Sequence, residues 1–139
     1  MAKVNIIYWS GTGNTEKMAE AIKEGLASAE VKLLSVSDAT TKDVEEAEVV
    51  VLGCPSMGDE VLEEGEMEPF VDSMSNAVKG KKVALFGSYG WGGDGQWMRD
   101  WEERMESYGA ELKTDSLIHQ GEPDDSTLEE CKAFAQKLV

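Results

Sequence analysis

The stretch Tyr8-Trp9-Ser10-Gly11-Thr12-Gly13-Asn14-Thr15 constrains this chain more than any other. It follows an alternating apolar run (Val4, Ile6, Ile7) and opens into a helical pattern, so it is a strand–turn–helix hinge. Glycines at 11 and 13 permit turn conformations closed to other residues. The hydroxyls of Ser10, Thr12 and Thr15, the Asn14 amide and several main-chain N–H groups can then converge at the positive end of the following helix. A phosphate is well placed there. A Walker loop needs a Lys after its last glycine, and here Asn14 and Thr15 follow Gly13. The dinucleotide fingerprint needs a third glycine where Glu16 stands. With no Lys or Arg in the loop, neutral dipoles must hold the anion, which points to a terminal phosphate and a mononucleotide. The competing reading is an ordinary Ser/Thr/Gly-rich turn.

Apolar periodicity extends the same unit along the chain. Lys3–Trp9 reads as a strand and Asn14–Ala27 as a helix, followed by a strand at Val31–Val36 and a short acidic helix at Thr41–Ala47. The uninterrupted run Val49–Gly53 suits a central parallel strand buried on both faces. A helix carrying Met67, Phe70, Val71, Met74 and Val78 ends at Gly80, and Lys82–Ser88 is a fourth strand. Trp97, Trp101, Met105 and Tyr108 stripe the next helix. Glu111–His119 is a fifth strand, broken near Asp115. Ser126–Val139 closes the chain, with Ser126 and Glu129 as a capping box. Strands alternating with helices predict one domain over residues 1–139, an α/β fold with a doubly wound parallel sheet. Ligands bind such sheets beyond the carboxyl ends of the strands, so the loops after strands one, three and four should build one site.

The loop after strand three offers Pro55, Ser56, Met57, Gly58, Asp59 and Glu60. The Met57 thioether is suited to lie against a flat ring, and Gly58 lets its peptide flip to present a carbonyl. The loop after strand four offers Ser88, Tyr89, Gly90, Trp91 and Gly92. Trp91, between glycines, has its face free for stacking. Gly90, Gly92 and Gly95 also fit a dinucleotide pattern, but a Trp within the turn obstructs a pyrophosphate. A phosphate cradle, a thioether and an indole around one pocket describe a flat-ringed mononucleotide, best matched by flavin mononucleotide (FMN).

Charge narrows the partners. Thirteen basic against twenty-eight acidic residues give a net charge of −15. This argues against nucleic acid and anionic membrane surfaces and favours basic partners. No apolar run approaches a membrane span. Cys54 and Cys131 have no metal-ligand spacing, and with no signal sequence ahead of the first strand a reduced, cytoplasmic setting is expected. The lone histidine, His119, leaves nucleophilic catalysis thinly supplied.

Taken together, residues 8–15, 57–60 and 87–91 resemble the flavodoxin family of the short type, end to end, with no long insertion in the fifth strand. The resemblance implies strand order 2-1-3-4-5 and a phosphate site of Ser10, Thr12, Asn14 and Thr15, with Gly11 and Gly13 in the same loop. It implies Met57 on the inner and Trp91 on the outer face of the isoalloxazine. The Gly58 carbonyl would accept from reduced N5, Glu60 from N3, and backbone at Gly90 would serve the pyrimidine edge. Trp97 joins the candidate set as the aromatic of its helix nearest the loop. Two departures stand out: Pro55 where some members carry Ser, with Ser56 to compensate, and an extra glycine in the pair Gly92-Gly93.

The function expected is a one-electron carrier working at low potential between semiquinone and hydroquinone, serving basic-surfaced redox proteins as a monomer. Its rival on the same fold is an FMN-dependent quinone or nitro reductase. A phospho-receiver module needs paired acidic residues where Tyr8-Trp9-Ser10 stands, and is rejected.

Overall fold

Alternation of buried side chains along the strands sets the architecture. The structure, a computed structural model, describes residues 2–57, 60–90 and 93–139. In order they form β1 (Lys3–Tyr8), α1 (Asn14–Gly25), β2 (Glu30–Ser35), a 3-10 turn (Val36–Asp38), α2 (Thr41–Glu46) and β3 (Val49–Gly53). There follow α3 (Met67–Ser73), β4 (Lys82–Tyr89), α4 (Gln96–Ser107), β5 (Glu111–Leu112), β6 (Leu117–Gln120) and α5 (Asp125–Gln136). The sheet order is β2-β1-β3-β4-β5, every named strand pair parallel, with β6 beside the carboxyl half of β4. This is the doubly wound parallel sheet expected from the sequence.

The register aligns Ile6 with Val51 and Val51 with Ala84, so even the short central strands stack side chains in rows. Val4, Ile6, Val51, Ala84 and Phe86 face α1 and α5, where Met18, Ile22, Cys131 and Phe134 meet them. Ile7, Val50, Leu52, Val83 and Leu85 face the opposite way, against Met67, Val71, Trp97, Trp101 and Met105. β3 is buried at all five positions, as a strand covered on both faces must be. Asn5 breaks the apolar pattern; it is wholly buried and its Nδ2 donates to the Asp43 carbonyl at 2.6 Å, tying α2 to the sheet.

The end of α3 and the cap of α5 differ from those read in the sequence. α3 stops at Ser73 rather than running to Gly80. The Ser73 hydroxyl donates to the Phe70 carbonyl at 2.7 Å, local competition that favours ending a helix. Met74 and Val78 stay buried through turns instead. At α5 the cap is Asp124, paired with Thr127 in a reciprocal box, in place of Ser126 with Glu129. The fifth strand is interrupted as expected, at residues 113–116 between β5 and β6. Among the described residues no helix is long and apolar enough to cross a membrane.

Candidate functional site

Beyond Tyr8 the chain continues one residue along the sheet, Trp9 N–H donating to the Gly53 carbonyl at 3.0 Å, and then turns over residues 10–13. Gly13, with φ 95°, is the N-cap of α1, a left-handed conformation that L side chains rarely adopt. The Ser10 hydroxyl oxygen accepts from the N–H groups of Gly13 (3.1 Å) and Glu16 (3.3 Å), bracing the turn from inside. The N–H groups of Asn14 and Thr15 have no acceptor among the described residues, so the helix start keeps donors for an anion. The Trp9 ring lies over Gly11, where an added Cβ would come within 2.9 Å of it. At the rear, the Tyr8 phenol donates to Glu16 Oε2 at 2.9 Å; partial burial, then that carboxylate, pushes its pKa up to about 12.

The loops after β3 and β4 are zipped together. Cys54 N–H donates to the Phe86 carbonyl (3.2 Å) and Ser56 N–H to the Ser88 carbonyl (2.9 Å). The Trp97 indole N–H donates to the Cys54 carbonyl at 3.1 Å. Burial pushes the Cys54 thiol up to about 12, so it stays neutral, and its sulfur accepts from Glu63 N–H at 3.4 Å. Met57 and Val61 exchange backbone bonds of 2.9 and 3.2 Å in an antiparallel bridge, which closes the loop on itself. Glu60 takes a left-handed φ of 62°, costly for a side chain with a Cβ. Its carboxylate spans to the start of α4, accepting from Trp97 N–H (3.0 Å) and Asp94 N–H (3.3 Å).

These loops enclose a cavity of about 270 Å³. Trp9, Gly11, Thr12 and Asn14 line it from the first loop, and Pro55, Ser56 and Met57 from the second. Ser88, Tyr89 and Gly90 complete it from the third, with Gly121 from the turn after β6. None of these residues carries a charge. One end thus offers hydroxyls, an amide and unpaired N–H groups; the other offers a thioether and a phenol ring. That donor set fits a phosphate joined to a flat ring. Among the described residues no group of His, Cys, Asp and Glu could hold a metal ion.

A family model for flavodoxins matches residues 6–134. The flavodoxin of Clostridium beijerinckii is 51% identical over 138 residues, 98% of this chain and 99% of that one. The chain belongs to the flavodoxin family. It matches the short type of flavodoxin, whose members are FMN-binding electron carriers, and FMN is its cofactor. The flavodoxin of Megasphaera elsdenii is 44% identical over 135 residues, with 96% of each chain covered. The solution structure of that flavodoxin in its two-electron reduced state superposes with a TM-score of 0.82 at 41% identity, covering 97% of each chain.

The flavodoxin candidates named from the sequence are placed as follows. Gly11, Thr12, Asn14, Pro55, Ser56, Met57, Ser88, Tyr89 and Gly90 come together on the cavity. Ser10 and Gly13 shape the loop behind it. Thr15 is buried, its hydroxyl bonded to Ser88 Oγ at 3.0 Å. Trp97 is 1% exposed and sits in the core beneath Tyr89, ring centroids 5.6 Å apart, rather than on the cavity. Glu60 faces the start of α4. Gly58, Asp59, Trp91 and Gly92 lie outside the described residues. Two lining residues had not been singled out, Trp9 and Gly121. Trp9 stood in the loop motif itself; Gly121 was signalled only by a glycine directly after a strand.

Proposed function

We propose that this chain is a low-potential one-electron carrier that holds FMN without a covalent bond, and that its redox partners rather than itself are the enzymes. The observation that carries this reading is the neutral lining of the cavity in a chain of net charge −15. When bound, FMN supplies reversible one-electron and two-electron chemistry. The donors of Ser10, Thr12, Asn14 and Ser56 and the free N–H groups of Asn14 and Thr15 would hold its phosphate. Met57 and Tyr89 would bound the ring, with Trp91 on the outer face, Gly58 offering its carbonyl and Glu60 accepting from the ring edge. Gly11, Gly13, Thr15, Pro55, Asp59, Ser88, Gly90, Gly92 and Trp97 complete the proposed set as backbone or supporting positions.

A site without a cation gives no compensation for negative charge gained on full reduction, so the last electron is held weakly. The acidic surface would steer the carrier to basic patches on donor and acceptor proteins through transient contacts. The buried free thiols of Cys54 and Cys131 are consistent with work in a reducing cytoplasm.

Anaerobic reductive titration of the purified protein, followed by visible absorption, tests this. A yellow protein with one flavin per chain should gain long-wavelength absorbance at half-reduction and lose it with the second electron. Bleaching in one step would replace the carrier with a two-electron reductase. A colourless chain that takes up no FMN would overturn the assignment of the cavity.

A further inference from the structure

At the opposite end of the sheet from the FMN cavity lies a second and larger concavity, of about 600 Å³. It opens between the start of β3, the turn that joins α3 to β4, and the end of α5. Four lysines line it: Lys79, Lys81, Lys82 and Lys113. Glu48 is the one acidic side chain among its lining residues.

The distribution of cations makes this grouping unusual. The chain has thirteen basic residues against twenty-eight acidic ones, so a lysine placed at random finds a carboxylate easily. Among the described residues seven of the thirteen do so, in ion pairs between 2.7 and 3.9 Å. Of the remaining six, four share this one concavity. Lys81 has a structural task there. Its ammonium donates to the carbonyls of Glu45 (2.9 Å) and Ala47 (2.6 Å), answering the negative end of α2. Lys79, Lys82 and Lys113 have neither a carboxylate nor a carbonyl partner for their ammonium groups among the described residues.

We propose that this concavity is a binding site for one small multivalent oxyanion. The volume falls within the range of small-molecule sites. Unpaired ammonium groups drawn to one hollow repel each other, and an oxyanion between them relieves that repulsion while accepting several of their N–H donors. Lysine suits this task as a compact, rotatable point charge. The site is at the amino ends of the parallel strands and the FMN cavity at their carboxyl ends, so both can be filled together.

Titration of the FMN-loaded protein with inorganic pyrophosphate and, separately, citrate, at low and fixed ionic strength, tests the proposal by calorimetry and amide chemical shifts. The two probes distinguish phosphate from carboxylate recognition; saturable one-to-one binding of either, with shifts centred on residues 79–82 and 113, supports the site. The triple variant Lys79→Gln, Lys82→Gln, Lys113→Gln should weaken binding at least tenfold while its flavin absorption stays unchanged. The double variant Lys23→Gln, Lys137→Gln removes unpaired lysines elsewhere and should change affinity less than twofold. Absence of saturable binding of both anions overturns the proposal, as does an equal loss in the double variant, which would reduce the effect to overall charge.

Discussion

Thr15 Oγ1 and Ser88 Oγ lie 3.0 Å apart, both buried, and join the first turn of α1 to the end of β4 across seventy-three residues of sequence. A hydroxyl pair in this position fastens the loop after β1 to the strand that carries the opposite wall of the cavity.

Replacing one member alone leaves the other buried without this partner. Thr15→Val should cost about 1–3 kcal/mol of stability, and so should Ser88→Ala. The double variant should cost clearly less than the sum, because no unpaired hydroxyl remains. Urea unfolding of the cofactor-free chain measures all three, and strict additivity would show that the two hydroxyls do not interact.

Glu60 holds two amides at the start of α4, although thirty-seven residues separate it from Trp97. Glu60→Ala removes what is in effect a helix cap supplied from another loop, at a cost of roughly 0.5–2 kcal/mol. Hydrogen exchange at the Trp97 and Asp94 amides should accelerate in step. Unchanged protection at both amides would place the carboxylate elsewhere in solution.

Gly87 and Gly90 make a matched pair of tests. A Cβ on Gly87 would run into the Cys54 carbonyl, a backbone atom that cannot swing away, whereas a Cβ on Gly90 meets nothing within 4 Å among the described residues. Gly87→Ala should therefore destabilise by about 1–3 kcal/mol, and Gly90→Ala by less than about 0.5 kcal/mol. Equal midpoints in denaturant for the two variants would contradict the close approach of the loops.

Arg104 and Glu68 form a two-pronged pair, both bonds 2.7 Å, between α4 and α3. Hydrogen bonding to Arg104 holds the Glu68 carboxyl below its ordinary 4.5. A carboxyl with a depressed native pKa stabilises the fold above its unfolded pKa, and that contribution disappears as pH falls through the native value. The stability gap between the wild-type chain and Glu68→Gln should therefore be full above pH about 5 and shrink below pH about 4. The Glu68 side chain is 42% exposed, so the gap is small. A gap that stays constant from pH 7 to pH 3 would remove the pair from the pH response.

Much of this was legible in local pattern. The uninterrupted run of β3 marked a strand covered on both faces, and the spacing of Trp101 and Met105 marked a helix face turned to the core. Gly13 ahead of Asn14 marked both a turn and a helix start. Other features depend on partners distant in sequence. Nothing near Glu60 shows that it reaches α4, and nothing near Thr15 shows that Ser88 awaits its hydroxyl. At α5, Asp124, Asp125 and Ser126 are all competent caps in a row. The choice of Asp124 follows from burying Thr127, Cys131 and Phe134 on one face, a constraint that lies in the sheet rather than in the cap. Trp97 was drawn toward the cavity by proximity in sequence, whereas its indole is fixed below it by the Cys54 carbonyl.

The sheet's all-parallel pairing also governs how the chain can reach this state. No two of its named strands can pair through a local turn; each must wait for a crossover, and four of those crossovers carry a helix. Contacts of such long sequence separation slow the search for the native state. The three loops that line the cavity are carried by strands brought together only through such crossovers, so the cavity is expected to form late in folding.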